Sequence, residues 1–214
     1  KYLKPLINAN YTVIVYNQTE DKTVRKLYKV YTAGTYIDET NSFNKGILCI
    51  YLSEFKNIYS FGGCYVNNVT GEIKCFESIK NDVDNIYDEI HRFINTNNPI
   101  EIIISLEDHD EHIFKNFFEI DNASTKFLNL NSEFKKINYQ NEFFKKVYNL
   151  DTDDLSPLEF LNLETLPNLT ISLILLLQYI YEHNELLLKR ISKPNIVSNE
   201  DNLILSNNAI KQLD

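Results

Sequence analysis

Residues 46–52 form a nearly unbroken apolar run of β-forming side chains, the pattern of a strand covered on both faces. Residues 58–66 and 71–76 read as two more strands, and Asn67-Asn68-Val69-Thr70-Gly71 between them is a turn. Three strands on short connections predict an antiparallel meander. Val83, Ile86, Tyr87, Ile90, Phe93 and Ile94 then recur at helical spacing, with Asn81 or Asp82 placed to cap the start and Asn97-Asn98-Pro99 to stop it. A short buried strand over 100–105, an amphipathic helix over 111–118 and a strand over 125–130 continue the alternation, and helical crossovers imply parallel pairing there.

The flanks read differently. At the front lie a helix end, a β-branched strand over 11–18, and a connector over 31–39 in which Gly34, between Thr32 and Thr35, supplies backbone freedom and is the one residue free to take positive φ. Tyr28, Tyr31 and Tyr36 are expected to pack along that connector. Beyond 141, Phe143, Phe144 and Val147 suggest a short helix, 151–154 an acidic linker, and Ser156-Pro157 a capped helix start. Residues 169–181 are apolar on nearly all sides, which predicts a buried helix of an all-α unit.

At 214 residues the chain is long enough for one or two domains with a sizeable core, and its 43% apolar content is that of a globular protein. A net charge of −9 argues against a self-sufficient nucleic-acid binder, because neutralising phosphates takes clustered Lys and Arg. Cys49, Cys64 and Cys75 are odd in number, form no C-x-x-C pair and fall in strand-like runs, so free buried thiols and an intracellular setting are expected. The most apolar run, 171–177, is too short to span a membrane. Lys1 starts in mid-motif and 203–214 looks like a helix beginning, so a piece of a longer protein is expected.

Three antiparallel strands followed by alternating helices and strands make the ribonuclease H-like plan. Taken in order, the segments resemble the MutS mismatch-recognition family. Tyr11-Thr12-Val13 through Gln18, then Arg25 and Thr32-Ala33-Gly34-Thr35, resemble the family's junction between mismatch-binding and connector domains, with Ala33 where a Pro is usual. Residues 46–51, 61–66 and Val69-Thr70-Gly71-Glu72 resemble its connector strands and turn, and 167–182 and 203–214 resemble its entry into the core domain. The Asn-, Ile- and Tyr-rich texture is most similar to the giant-virus branch. The resemblance implies an end of the mismatch-binding domain with its linker over 1–40, a connector over 41–150, and the start of a helical core and lever over 151–214. It further implies a parent protein that is a DNA-dependent ATPase using ATP and Mg, dimerises with itself or a relative, clamps mismatched double-stranded DNA and meets downstream repair proteins. The mismatch-wedging and ATPase signatures would both lie outside these residues, so no catalytic, cofactor-binding or metal residue is assigned here, and the segment itself is not expected to be an enzyme.

Two alternatives remain, a ribonuclease H-like metal-dependent nuclease and a stand-alone interaction module. A two-metal nuclease needs convergent carboxylates from the first strand, a later strand and a helix, yet 47–52 carries no acid. Glu107 and Asp108 follow the fourth strand where a second acid could sit. Glu107-Asp108-His109-Asp110-Glu111-His112 is the densest set of possible ligands, with His109 and His112 one helical turn apart, but it also reads as an acidic helix N-terminus favoured by the macrodipole. His91 and His183 read as surface residues. Lys135-Lys136 and Lys145-Lys146, interleaved with Phe134, Phe143 and Phe144, could stack and pair with nucleic acid, or be amphipathic helix surface.

Overall fold

The structure is a computed structural model that describes residues 2–9, 11–19, 24–36, 46–118, 125–150 and 155–197. A short helix α1 (Leu3–Asn8) leads into an antiparallel ribbon of β1 (Val13–Gln18) and β2 (Arg25–Tyr31), with the register shifting at Val15/Tyr16. β2 went unforeseen because its basic residues blur the alternation that marks a half-buried strand, and most of it is exposed.

The main sheet comes next. β3 (Gly46–Phe55), β4 (Ile58–Asn67) and β5 (Ile73–Lys80) form the expected antiparallel meander. After α2 (Val83–Asn97) the chain returns as β6 (Glu101–Glu107), parallel to β3, and after α3 (Glu111–Phe118) as β7 (Thr125–Phe127), parallel to β6. A 3-10 turn (Ser132–Lys135), α4 (Ile137–Val147), α5 (Pro157–Phe160) and α6 (Pro167–Leu188) precede a short β8 (Asn195–Ile196), which adds parallel to β5. The sheet order is β7-β6-β3-β4-β5-β8. This is a mixed α/β fold of ribonuclease H-like order.

Local chemistry explains the boundaries. Asn98 ends α2 in the left-handed region at φ 42, followed by Pro99, as the Asn-Asn-Pro signal requires. Ser156 and Glu159 form a reciprocal capping box with Pro157 in the first turn of α5. Asp82 stands at the start of α2 but makes no side-chain cap bond.

Both faces of β3 are covered, which accounts for its uninterrupted apolar run. Leu48, Ile50 and Leu52 face α2 and α3 with Ile86, Ile90 and Phe114. Cys49 and Tyr51 face the other way, into a core shared with Leu173, Leu176 and Ile180 of α6. α6 is apolar all round because the sheet covers one side and α4 and the 3-10 turn the other. The helix expected to open an all-α unit packs as a layer against the sheet. The expected linker at 151–154 and helix start at 203–214 lie outside the described residues. Among the described residues no helix is long and apolar enough to cross a membrane.

Candidate functional site at the start of β6

Glu101 opens β6 opposite Ile47, where the Ile100 amide has just donated to the Gly46 carbonyl at 3.0 Å. The residue is 2% exposed, and its carboxylate joins three other parts of the chain. Oε2 accepts from the Thr32 hydroxyl at 2.7 Å and from the Gly34 amide at 2.9 Å. Oε1 accepts from the Tyr179 hydroxyl of α6 at 2.6 Å and pairs with Lys126 Nζ of β7 at 2.9 Å. Lys126 also donates to the Tyr179 hydroxyl. A buried carboxylate is tolerated when its lone pairs are filled and its charge is matched, and both conditions hold.

The 32–35 loop is shaped to deliver those donors. Thr35 Oγ1 accepts from the Thr32 amide at 3.0 Å and Thr32 Oγ1 from the Thr35 amide at 3.1 Å, so each threonine closes the turn on the other. Asn68 Nδ2 reaches from the β4–β5 turn to the Gly34 carbonyl. Gly34 does not use its freedom to take positive φ; Gly71 does, at 77°. Glycine is needed at 34 because a Cβ there would overlap the Glu101 carboxylate and the Ile47 side chain. Tyr31 and Tyr36 meet edge to face at 5.9 Å as linker packing, whereas Tyr28 is 62% exposed.

The electrostatics are set by the partners. Burial raises the Glu101 carboxyl, but the Lys126 charge and the hydrogen bonds from Tyr179, Lys126 and Thr32 outweigh it and hold the group below the ordinary carboxylate range. Burial, with Glu101 beside it, pushes the Tyr179 phenol up.

The other end of β6 carries the acids that the sequence singled out. An open cleft of about 380 Å³ lies there, lined among others by Tyr51, Ser53, Glu107, Lys135, Gln140 and Asn168. The Tyr51 hydroxyl donates to one oxygen of Glu107 and Lys135 Nζ to the other. Burial raises Glu107, and these two partners more than offset it, leaving the group below the ordinary range. β3 runs beyond the acid-free 47–52 stretch to include Glu54, but Glu54 accepts from His109 Nδ1 at 2.7 Å and does not join Glu107. The Tyr87 hydroxyl lies 2.5 Å from His109 Nε2, and burial first, then the neighbouring Tyr59 and Glu54, pushes that phenol up to about 12.

The His109 side chain is thus interior, in edge contact with Tyr59 and Tyr87, while His112 is exposed on α3, so the two are not brought together as ligands. Asp110 accepts from the amides of His112 and Ile113 at 2.7 and 3.2 Å, which is the acidic helix N-terminus. Among the described residues no group of three or more His, Cys, Asp or Glu is placed to hold a metal. His91 is half-buried, with Asn95 at 3.0 Å and the Phe118 ring beside it, and His183 stacks on Tyr179 at 4.0 Å.

Phe134 and Phe144 are buried and Phe143 half-buried, Lys135 and Lys136 are paired with Glu107 and Glu133, and the alternation of Lys and Phe is that of an amphipathic surface. Cys49, Cys64 and Cys75 are free and buried in a row across β3, β4 and β5. Sequence reasoning missed Glu101, Lys126 and Tyr179. The available signal was one acid at the head of an otherwise apolar strand, Ile100-Glu101-Ile102-Ile103-Ile104.

No protein-family model matches the chain. A mutS homologue of Acanthamoeba polyphaga mimivirus, described as a DNA mismatch repair protein, is 34% identical over 247 aligned residues, covering 100% of this chain and 22% of the relative. The DNA mismatch repair protein MutS of Caldanaerobacter subterraneus subsp. tengcongensis is 27% identical, covering 100% of this chain and 24% of its own length. That of Clostridioides difficile is 26% identical over 95% of this chain and 20% of its own length. The chain therefore spans between a fifth and a quarter of the curated relatives it matches. Among solved structures, the Fowlpox virus resolvase with its Holliday junction DNA is 20% identical over 62% of this chain and 96% of its own, at a TM-score of 0.35. With relatives matching it from end to end and a giant-virus homologue among them, the chain belongs to the MutS family of DNA mismatch repair proteins.

Proposed function

We propose that this chain is the connector of a MutS-like protein, passing conformational change between a mismatch-binding domain ahead of it and a helical core and ATPase behind it. The observation that carries this reading is the Glu101 carboxylate, which ties the 32–35 loop to α6 within one buried network. The loop belongs to the side of mismatch binding and α6 to the side of the core. A linker transmits movement only if its backbone is held to the elements it must move, and here three donors and a cation converge on the carboxylate that holds it. The intact protein clamps mispaired double-stranded DNA as a homo- or heterodimer, uses ATP and Mg²⁺, and meets downstream repair proteins, while this segment carries no catalytic group of its own.

The test uses the intact protein with Thr32→Val and Tyr179→Phe combined, which removes one hydroxyl from each side of Glu101. Mismatch stimulation of ATP turnover is expected to fall about fivefold, the low end of ordinary allosteric coupling, with turnover in the absence of DNA unchanged. Wild-type stimulation in a folded double variant would overturn the reading.

A further inference from the structure

The incoming loop and the outgoing chain meet the same turn. The β4–β5 turn is closed by its own bonds: the Gly71 amide donates to the Asn67 carbonyl at 2.8 Å, the Asn67 amide to Glu72 at 2.9 Å, and Asn67 Oδ1 accepts from Val69 and Thr70 at 2.9 and 3.2 Å. Such a turn moves as a unit. On one side Asn68, 3% exposed, donates to the Gly34 carbonyl of the incoming loop. On the other, the Gly71 carbonyl accepts from both the amide and the hydroxyl of Ser192, at 2.9 and 3.1 Å. The outgoing chain then pairs as β8, with the Val197 amide donating to Cys75 at 2.8 Å.

Two details show that the turn is fitted to both segments. Gly71 has φ 77°, and a Cβ on it would overlap the Arg190 carbonyl, so the outgoing chain lies against a position that tolerates only glycine. Asn68 Oδ1 is buried and has no hydrogen-bond partner among the described residues, where this amide's bond is the one to Gly34 despite the cost of an unfilled acceptor.

We infer that the β4–β5 turn is a clasp that couples the 32–35 loop to the 190–197 segment, with Asn68 and Gly71 as its positioning residues. Displacement of the loop drags Asn68, and through the closed turn Gly71, and so loosens Ser192 and β8. This route shares Gly34 with the Glu101 network but leaves it through the carbonyl and Asn68 toward the outgoing chain, whereas Glu101 leads to α6. The clasp deepens the connector reading, but hydrogen exchange reads the 214-residue chain by itself, so a failed clasp and a failed connector are distinguishable.

Asn68→Ala is expected to speed exchange of the Ser192 and Val197 amides roughly five- to tenfold, as fits the loss of about one hydrogen bond's protection, while the amides of α2 and β6 keep their rates. Gly71→Ala is expected to speed the Gly34 and Thr35 amides in the reverse direction. Should either variant fail to fold, Ser192→Ala removes one of two bonds to Gly71 at an exposed position and is expected to speed Gly34 and Thr35 about twofold. Acceleration confined to the mutated side, or spread evenly over the core strands, would overturn the clasp.

Discussion

The two ends of β6 each present a glutamate, and they are built for different work. Glu101 is almost wholly buried, with donors from a loop, a helix and a neighbouring strand converging on its two oxygens. The Glu107 side chain is 28% exposed at the edge of an open cleft and has two partners, Tyr51 and Lys135. The cleft end is where a ribonuclease H-like nuclease would gather carboxylates, and there the acid is held by a phenol and an ammonium. At the junction end an acid with no counterpart in that chemistry has become the tie between segments. Burial and the number of donors, not the residue type, separate a structural hub from a surface ion pair.

The comparison breaks most sharply on truncation. Glu101→Ala is expected to destabilise the chain by about 2–4 kcal/mol, somewhat less than a fully buried ion pair broken on one side because Lys126 keeps some solvent. Glu107→Ala should cost about 1 kcal/mol or less, as solvent screens that pair. Denaturant melts of both variants check this, and equal losses would erase the distinction. Next in size is Gly34→Val, which must push the loop off Glu101 and Ile47 and should cost about 1–3 kcal/mol as overpacking does. Gly34→Ala shares the clash, so a neutral alanine variant in a thermal melt would show that the close approach is not required.

The pH dependence sharpens the same contrast. Glu101 is held below its unfolded value, so its stabilisation is fully present above the unfolded carboxyl pKa of about 4.3 and is lost as pH falls through the lower folded value. Glu101→Gln should therefore be less stable than wild type at neutral pH and converge with it below about pH 4, measured by urea midpoints across pH. A constant gap down to the acid limit would mean that shape, not charge, sets the difference. The smallest effect expected is none: Mn²⁺, Mg²⁺ or a chelator should leave the melting temperature where it is, since Glu107 is occupied by Lys135 and Tyr51. A rise of several degrees with Mn²⁺ would return the cleft to the nuclease reading.

The meander, α2, the parallel return of β6 and the extent of α3 were legible because each is marked by periodicity and by turn or stop residues such as Asn67 to Gly71 and Asn98-Pro99. The loop motif around Gly34 was legible as a feature, but its cause was not. A glycine required by a neighbour's carboxylate looks the same in sequence as one required by positive φ. The burial of α6 was legible, but its packing against the sheet was not, because a helix apolar all round states that it is covered, not by what. Glu101, Lys126 and Tyr179 come from three separate elements, and only the tertiary fold brings them together. His109 was visible as one of an acidic-His cluster, while its burial between Glu54 and Tyr87 depends on β3 extending past the apolar run.

The claim that Glu101 carries the coupling is tested most directly by comparing Glu101→Gln and Glu107→Gln in the intact protein, with ATP turnover measured on mismatched against matched duplex. At Glu101 the amide presents donors to donors on at least one side, and the mismatch-to-match ratio is expected to fall about fivefold. At Glu107 the ratio is expected to stay at the wild-type value. Equal ratios in the two folded variants would contradict the account.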